Sequence, residues 1–258
     1  MNDVAKLSPR EARLACREGR HTSTTRGVSM GYVQCNLVIL REVYAYEFLL
    51  YCQRNQRACP VLEVCDTGDP EPRRLAPGAD LRTDLPRYSV YCHGQRQDDV
   101  YDIGHLWRPD FVAFLIGSGI SFDDALEQAG VPTTRNRWVV RSSIPTIPAG
   151  RFSGNMVVTM RWLTAEQAIT AVQVTARYPF NHGAPIHIGD PAAIGADLKE
   201  PYFGDPVERT PESVVPVFWA CGVTPQVAAL EAKIDIMITH APAHGFITDL
   251  EARHLALP

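Results

Sequence analysis

The sequence has no apolar run long enough to cross a membrane. Its longest uninterrupted apolar stretch covers residues 111–116, against the ~18 residues that a span requires. It also has no surplus of positive charge: 25 lysines and arginines face 29 aspartates and glutamates, for a net charge of −4 and a pI near 6.1. That removes the field on which non-specific nucleic-acid binding depends, so neither nucleic acid nor membrane is an expected partner. The seven cysteines contain no CxxC pair, and an odd number suits free thiols in a reducing cytoplasm better than a disulfide frame. The opening segment holds no apolar core of a secretory signal. No repeat with a period of roughly 20–50 residues occurs, which excludes solenoids and propellers. What is present is ordinary for a globular chain: 258 residues, 45% hydrophobic and 21% charged. Such a chain buries roughly 70% of its unfolded surface and needs neither disulfide nor metal to hold a core. The expectation is a soluble cytoplasmic protein of one large domain or two modest ones.

Ser8-Pro9-Arg10-Glu11 forms a capping box for a first helix, which Gly19 stops. Val33, Cys35, Leu37 and Ile39 alternate with Gln34 and Asn36 over residues 32–39, the pattern of a half-buried strand. Residues 42–54 follow at helical spacing, and residues 59–64 read as a short strand. Residues 66–86, with four prolines and two glycines, predict a surface loop. A strand over 88–92 comes next, then an apolar segment over 111–116 that fits a strand or a buried helix. Ser121-Phe122-Asp123-Asp124 has capping-box spacing for a helix that ends at Gly130. Between 135 and 179 two β-rich runs, 137–142 and 156–162, lead into a helix capped by Thr164 with Gln167. This predicts a smaller α+β insert over 135–179, with 1–134 and 180–258 forming the main α/β domain. The last third reads β-α-β: a strand over 214–219, a helix with Thr224 as N-cap and Pro225 at its first position, and a strand over 234–239. Such a unit favours a parallel pair with a right-handed crossover.

In parallel α/β sheets ligands collect beyond the carboxyl ends of strands. The polar residues that follow predicted strands are therefore the candidates: Cys221, Gly222 and Thr224; His240 and His244, then Thr248 and Asp249; and Asp190, with His182 and His187 nearby. Gly117-Ser118-Gly119 precedes a helix, and its amides can cradle an anion. Together these supply acid–base groups for an anionic substrate. Each has a structural alternative. His240 and His244 have i, i+4 spacing, but Pro242 between them opposes a helix and no HExxH is present. His187 fits a hydrogen-bonded core histidine equally well. Gly117-Ser118-Gly119 matches neither GxSxG nor GxGxxG and fits a tight turn. Cys221 sits near a helix start, where thiolates are stabilised, or is a buried inert thiol. Arg141 and Arg161 lie in predicted strands, either solvated or turned into a cleft as carboxylate clamps.

Long phrases in order along nearly the whole chain carry a resemblance. They include GYVQCNLVIL (31–40), QRNQRACPVLEV (53–64), DLRTDLPRYSVY (80–91), RSSIPTIPAGRFSGNMVVTMRW (141–162), HGAPIHIGDPAAIGADL (182–198), PVFWACGVTPQ (216–226) and ITHAPAHGFITD (238–249). In these the chain resembles the D-glutamate cyclases, a family also described as hydro-lyases. The resemblance implies a three-layer α/β/α main domain with a mostly mixed or parallel sheet, plus a smaller two-layer α+β part. It also implies interconversion of D-glutamate with 5-oxo-D-proline and water. Two phrases differ from the usual family wording. FLIGCSFSFE reads FLIGSGISFD here, placing Ser118 and Gly119 where the family has cysteine and serine, and THAPGHM reads THAPAHG, placing Ala243 and Gly245.

Lactam closure needs a base to free the amine and an acid to protonate the departing oxygen. With that reaction in view, His240 is expected as base or acid and His182 or His244 as its counterpart. Asp190 or Asp249 would orient an imidazole. Amides at Gly222–Thr224 or at Ser118 and Gly119 would hold the oxyanion. Arg161 or Arg141 would take the α-carboxylate, and Gln34 and Asn36 the amine or carbonyl. No cofactor is required and no metal site is assigned. A divalent cation on His182, His240 or His244 with Asp190 is the route by which a metal would replace one acid. The other readings are a hydro-lyase or lactam-handling enzyme for another small carboxylic acid, and a non-catalytic binder of one. A homodimer is the default assembly.

Overall fold

The computed structural model describes residues 6–133, 136–209 and 211–258; the expected insert boundary at 134/135 lies outside the described residues. Helix α1 (Pro9–Arg17) begins as its sequence dictates. The Ser8 hydroxyl accepts from the Glu11 amide, and the Glu11 carboxylate accepts from the Ser8 amide. Strand β1 (Tyr32–Arg41) runs directly into α2 (Glu42–Arg54). Then follow β2 (Val61–Val64), β3 (Tyr88–Cys92), β4 (Gln95–Val100), β5 (Phe111–Gly117) and α3 (Asp123–Gln128). The hairpin β6 (Trp138–Pro145) and β7 (Asn155–Leu163) feeds α4 (Ala165–Ala176), which Thr164 and Gln167 cap reciprocally. The chain ends with β8 (His187–Ile188), β9 (Val215–Ala220), α5 (Thr224–Glu231), β10 (Ile236–His240) and β11 (Phe246–Glu251). Among the described residues no helix is long and apolar enough to cross a membrane.

Two sheets form. A seven-stranded sheet has the order β2-β5-β1-β10-β3-β4, with β11 also paired to β1; a four-stranded sheet has the order β6-β7-β9-β8. Helices and sheets together fit the α/β class. The expected mixed or parallel sheet does not form, because the described strand pairs are antiparallel. The supposed parallel pair, β9 and β10, belongs to two different sheets. The cause is visible in α5: Thr224, Pro225, Gln226, Val227, Ala228 and Ala229 are all buried. A crossover helix lying on one sheet keeps a polar outer stripe, whereas a helix apolar all round is enclosed. Here α5 passes between the sheets and carries the chain from one to the other. The four-stranded sheet takes β8 and β9 from outside residues 135–179, so it extends past the expected insert.

Three local expectations also change. Strand β1 is buried on both faces, not one. Leu37 and Ile39 join Leu75, Ala76, Leu81 and Leu85 in one core, while Val38 and Leu40 join Phe48, Tyr51 and Cys52 in another. Residues 66–86 are thus a covering layer and not a surface loop. The buried Glu63 carboxylate anchors them by accepting from the amides of Arg74 (2.9 Å) and Leu75 (2.8 Å). Ser121 does not cap α3, because its hydroxyl is exchanged with the backbone of Gln34, at 3.0 and 3.2 Å.

The pairing of β1 positions the site. Residues 38–40 pair with β10, residues 32–35 pair with β11, and the two partners separate on either side of Leu37. The gap in that ladder is filled by a side chain from the end of β10.

Candidate active site

A cavity of about 370 Å³ lies between the two sheets at this gap. The large sheet contributes Asn36 and His240, the small sheet Thr159, Arg161 and Trp219, and α5 contributes Gln226. In the small sheet Thr159 pairs with both Val139 and Trp219, which sets one row of the floor.

One end is rich in guanidinium groups. Arg161, 1% exposed, bonds Asp123 through Nη2, and Arg137 Nη2 donates to both Asp123 oxygens at 2.8 Å. Arg26 faces the same carboxylate and Arg137. Three cations thus share one anion, and Nε of Arg26, Nε of Arg137 and Nη1 of Arg161 are buried without a partner. Burial lowers the Arg161 pKa to about 10, with Asp123 opposing and Arg137 reinforcing the change, so the group stays charged at neutral pH. Buried N–H donors without partners are costly, and a surplus of positive charge next to a cavity favours an entering anion.

The histidines are fixed in opposite tautomers by their neighbours. Nδ1 of His240 accepts from the Leu37 amide at 3.2 Å and faces Nε2 of the Gln226 amide at 3.1 Å. With two N–H donors on Nδ1, the neutral ring carries its proton on Nε2. His182 is the reverse: Nδ1 meets the Arg57 carbonyl at 2.9 Å and must donate, leaving Nε2 as a lone pair. Both line the cavity. Burial lowers each pKa to about 4, and the bond that His182 donates to the Arg57 carbonyl opposes this only in part. The site therefore holds a neutral proton donor and a neutral proton acceptor.

Close packing fixes the remaining geometry. Asn36 Nδ2 donates to the Gly117 carbonyl at 2.9 Å, and a Cβ on Gly222 would stand 1.9 Å from that nitrogen, so Gly222 leaves room for Asn36. His182 (φ 79°) and Ala243 (φ 64°) both hold left-handed backbone. Such strain gathers at functional sites.

Of the candidates from the sequence, His182, His240, Arg161, Asn36, Ser118, Gly119, Cys221 and Gly222 line this cavity. The others lie elsewhere. His244 sits behind His240, its Nδ1 bonded to the Pro242 carbonyl at 2.7 Å. Asp249 is on the outer side of β11 in a two-point pair with Arg13, at 2.9 and 3.0 Å. Asp190 is exposed and caps a short turn by accepting from the Ala192 amide. Arg141 is exposed and stacks on Tyr202 at 4.7 Å. Gln34 holds the carbonyls of Thr25 and Val28 in a neighbouring cavity. Thr224 is not an N-cap: its hydroxyl donates to the Cys221 carbonyl (2.7 Å) and accepts from the Val157 amide (3.0 Å), tying α5 to β7. Its own amide is taken by the Cys221 carbonyl, which removes it as an oxyanion donor. Burial pushes the Cys221 thiol up from its ordinary pKa, so this cysteine is no ready thiolate.

Sequence reading missed Arg26, Arg137, Asp123 and Gln226. Asp123 reads only as an inner residue of the capping phrase Ser121–Asp124, while Arg26 lies in an aperiodic loop. Only Arg137, the first residue of the β-rich run 137–142 and two before Val139, carries a signal in the sequence. Among the described residues no group of three or more histidine, cysteine, aspartate or glutamate side chains could hold a metal ion. Of the residues named for a divalent cation, His182 and His240 line the cavity, and Asp190 and His244 stand outside it.

Comparison with known proteins agrees with the resemblance in sequence. Proteins of Bacillus licheniformis (50% identical, 96% of each chain), Thermoanaerobacter sp. (51%, 97% of this chain and 96% of the other) and Geobacillus kaustophilus (50%, 100% of each) are similar to this one. All three are provisionally named hydro-lyases. The positions where the chain departs from the family wording, Ser118, Gly119, Ala243 and Gly245, all border the cavity. The D-glutamate cyclase family profile matches residues 112–249, and the chain belongs to that family.

Proposed function

We propose that this protein is a hydro-lyase that interconverts D-glutamate with 5-oxo-D-proline and water. The observation that carries the reading is a single cavity holding a proton-donating His240, a proton-accepting His182 and unpartnered arginine N–H groups. The α-carboxylate docks against the cationic end of the cavity formed by Arg161, Arg137 and Arg26. Nε2 of His182 takes a proton from the ammonium, and the freed amine attacks the γ-carboxyl carbon. Nε2–H of His240 protonates the oxygen that departs. A C–N bond forms and a C–O bond breaks; the second proton shed by the nitrogen restores His240, and the proton held by His182 completes the departing water, so both histidines are regenerated and the reaction has no net proton demand. Burial keeps both imidazoles neutral until substrate arrives, and the incoming negative charge then favours the protonated form of His182. Positioned acid–base help of this kind contributes ~10²–10⁴-fold.

The test is to incubate the protein with D- and L-glutamate and with both 5-oxoprolines, and to separate the products on a chiral column. Conversion confined to the D pair is expected. Folded protein that turns over none of the four contradicts the reading. His240→Ala should abolish turnover while retaining glutamate binding. Unchanged turnover in that variant removes His240 from the mechanism.

A further inference from the structure

The cavity is longer than glutamate. From Arg161 the lining continues along β7 through Thr159 to the level of Cys221, whose amide bonds the Val157 carbonyl. Four residues of strand separate Arg161 from Val157, or roughly 13 Å. The two carboxyl carbons of glutamate are four bonds apart, about 5 Å when extended. With the α-carboxylate on the arginines, the γ-carbonyl reaches no further than about the level of Thr159, two residues along β7 from Arg161, and the space beyond it remains. Val227 and Leu230 of α5 and the aromatic rings of Tyr202 and Phe203 supply much of the remaining lining, beside Tyr91 and Arg96. Tyr202 and Phe203 are 43% and 39% exposed, aromatic side chains at the rim, Tyr202 carrying Arg141 on its ring. The whole cavity, at about 370 Å³, falls in the ~300–1,000 Å³ range of sites that enclose ligands larger than a free amino acid.

We infer that the site also takes γ-glutamyl amides of apolar amines and cyclises them with release of the amine in place of water. The inference rests on the cyclisation proposed above and names a wider substrate class for it. The substituent must sit on the γ-carbonyl, because an acylated α-nitrogen cannot attack. Atoms balance as before. The α-amine forms the lactam C–N bond, the γ-amide C–N bond breaks, and the two protons shed by the α-nitrogen leave on the departing amine as an ammonium ion. The amide is also the easier electrophile, since attack on it does not push electrons onto a carboxylate that already bears a full charge. His240 then protonates nitrogen instead of oxygen, from the same position.

The experiment compares D-glutamate with γ-D-glutamyl benzylamide, following 5-oxo-D-proline and benzylamine. A kcat/KM for the benzylamide above that for D-glutamate is expected, by about tenfold. A value at or below that for D-glutamate overturns the inference and leaves the cyclase reading standing, whereas turnover of neither compound overturns both. Phe203→Ala should reduce benzylamide turnover several-fold and leave D-glutamate turnover unchanged. Leu230→Trp, which fills the far end, should block the benzylamide alone. Equal effects on both substrates in these two variants place the benzyl group elsewhere and overturn the inference.

Discussion

Replacing Asp123 with asparagine keeps the size of the side chain and removes the negative charge shared by Arg137 and Arg161. Both cations are nearly enclosed, with side-chain exposures of 9% and 1%, and Arg26 adds a third positive charge beside them. Removing one partner of a buried pair leaves an uncompensated charge and costs about 3–5 kcal/mol. For a chain of this size each kcal/mol lowers Tm by roughly 2–4 °C, so the variant should melt at least ~6 °C lower. The same surplus of charge should make it respond more to anions. Sulfate or glutarate should raise the Tm of Asp123→Asn by more than that of the parent, because an anion that binds only the folded state stabilises it in proportion to its affinity. Thermal unfolding at low ionic strength, with and without each anion, measures both effects. A loss below ~1 kcal/mol, or an anion response no larger than the parent's, would refute the idea that the arginines form an under-neutralised anion site.

Two further outcomes follow from backbone and burial. His182 and His240 have folded-state pKa values lowered to about 4, while an unfolded histidine titrates near ~6.5. The unfolded chain therefore binds more protons in that interval. Stability is fully present above pH ~6.5 and falls as pH drops towards 4, by roughly 3 kcal/mol for each ring. Urea midpoints measured across this range in the parent and in His182→Gln check the slope, which should be shallower in the variant. Ala243 holds a left-handed backbone at φ 64°, a conformation costing an alanine roughly 1 kcal/mol that glycine does not bear. Ala243→Gly should raise stability by about 0.5–1 kcal/mol in the same assay, and a loss would show that the methyl group packs usefully.

Local features were the most legible part of the sequence. Ser8 with Glu11 and Thr164 with Gln167 form the capping boxes they spell, because capping depends on a few neighbouring atoms. Strand β5 appears where the apolar run 111–116 ends in glycine. What local pattern did not disclose is which strands pair. The segment 214–239 looks like a parallel β-α-β unit, yet its helix is enclosed between two sheets and its strands never meet. Burial of both faces of β1 was hidden too, since Gln34 and Asn36 look solvent-facing but bond carbonyls inside the protein. At the site, residue type alone singles out His182, His240 and Arg161, and the fold brings all three to one cavity. Arg26 and Asp123 were missed because their roles come from tertiary approach alone. Asp190 and Asp249 were plausible by type, but each is taken by a local partner, the Ala192 amide and Arg13.

Long-range ¹H–¹⁵N NMR of the histidine rings tests the opposed-tautomer arrangement most directly. His240 should appear neutral with its proton on Nε2, and His182 neutral with its proton on Nδ1, both unchanged from pH 8 down to pH 5.5. The same tautomer at both rings, or a ring that gains its second proton near pH 6.5, would contradict the account.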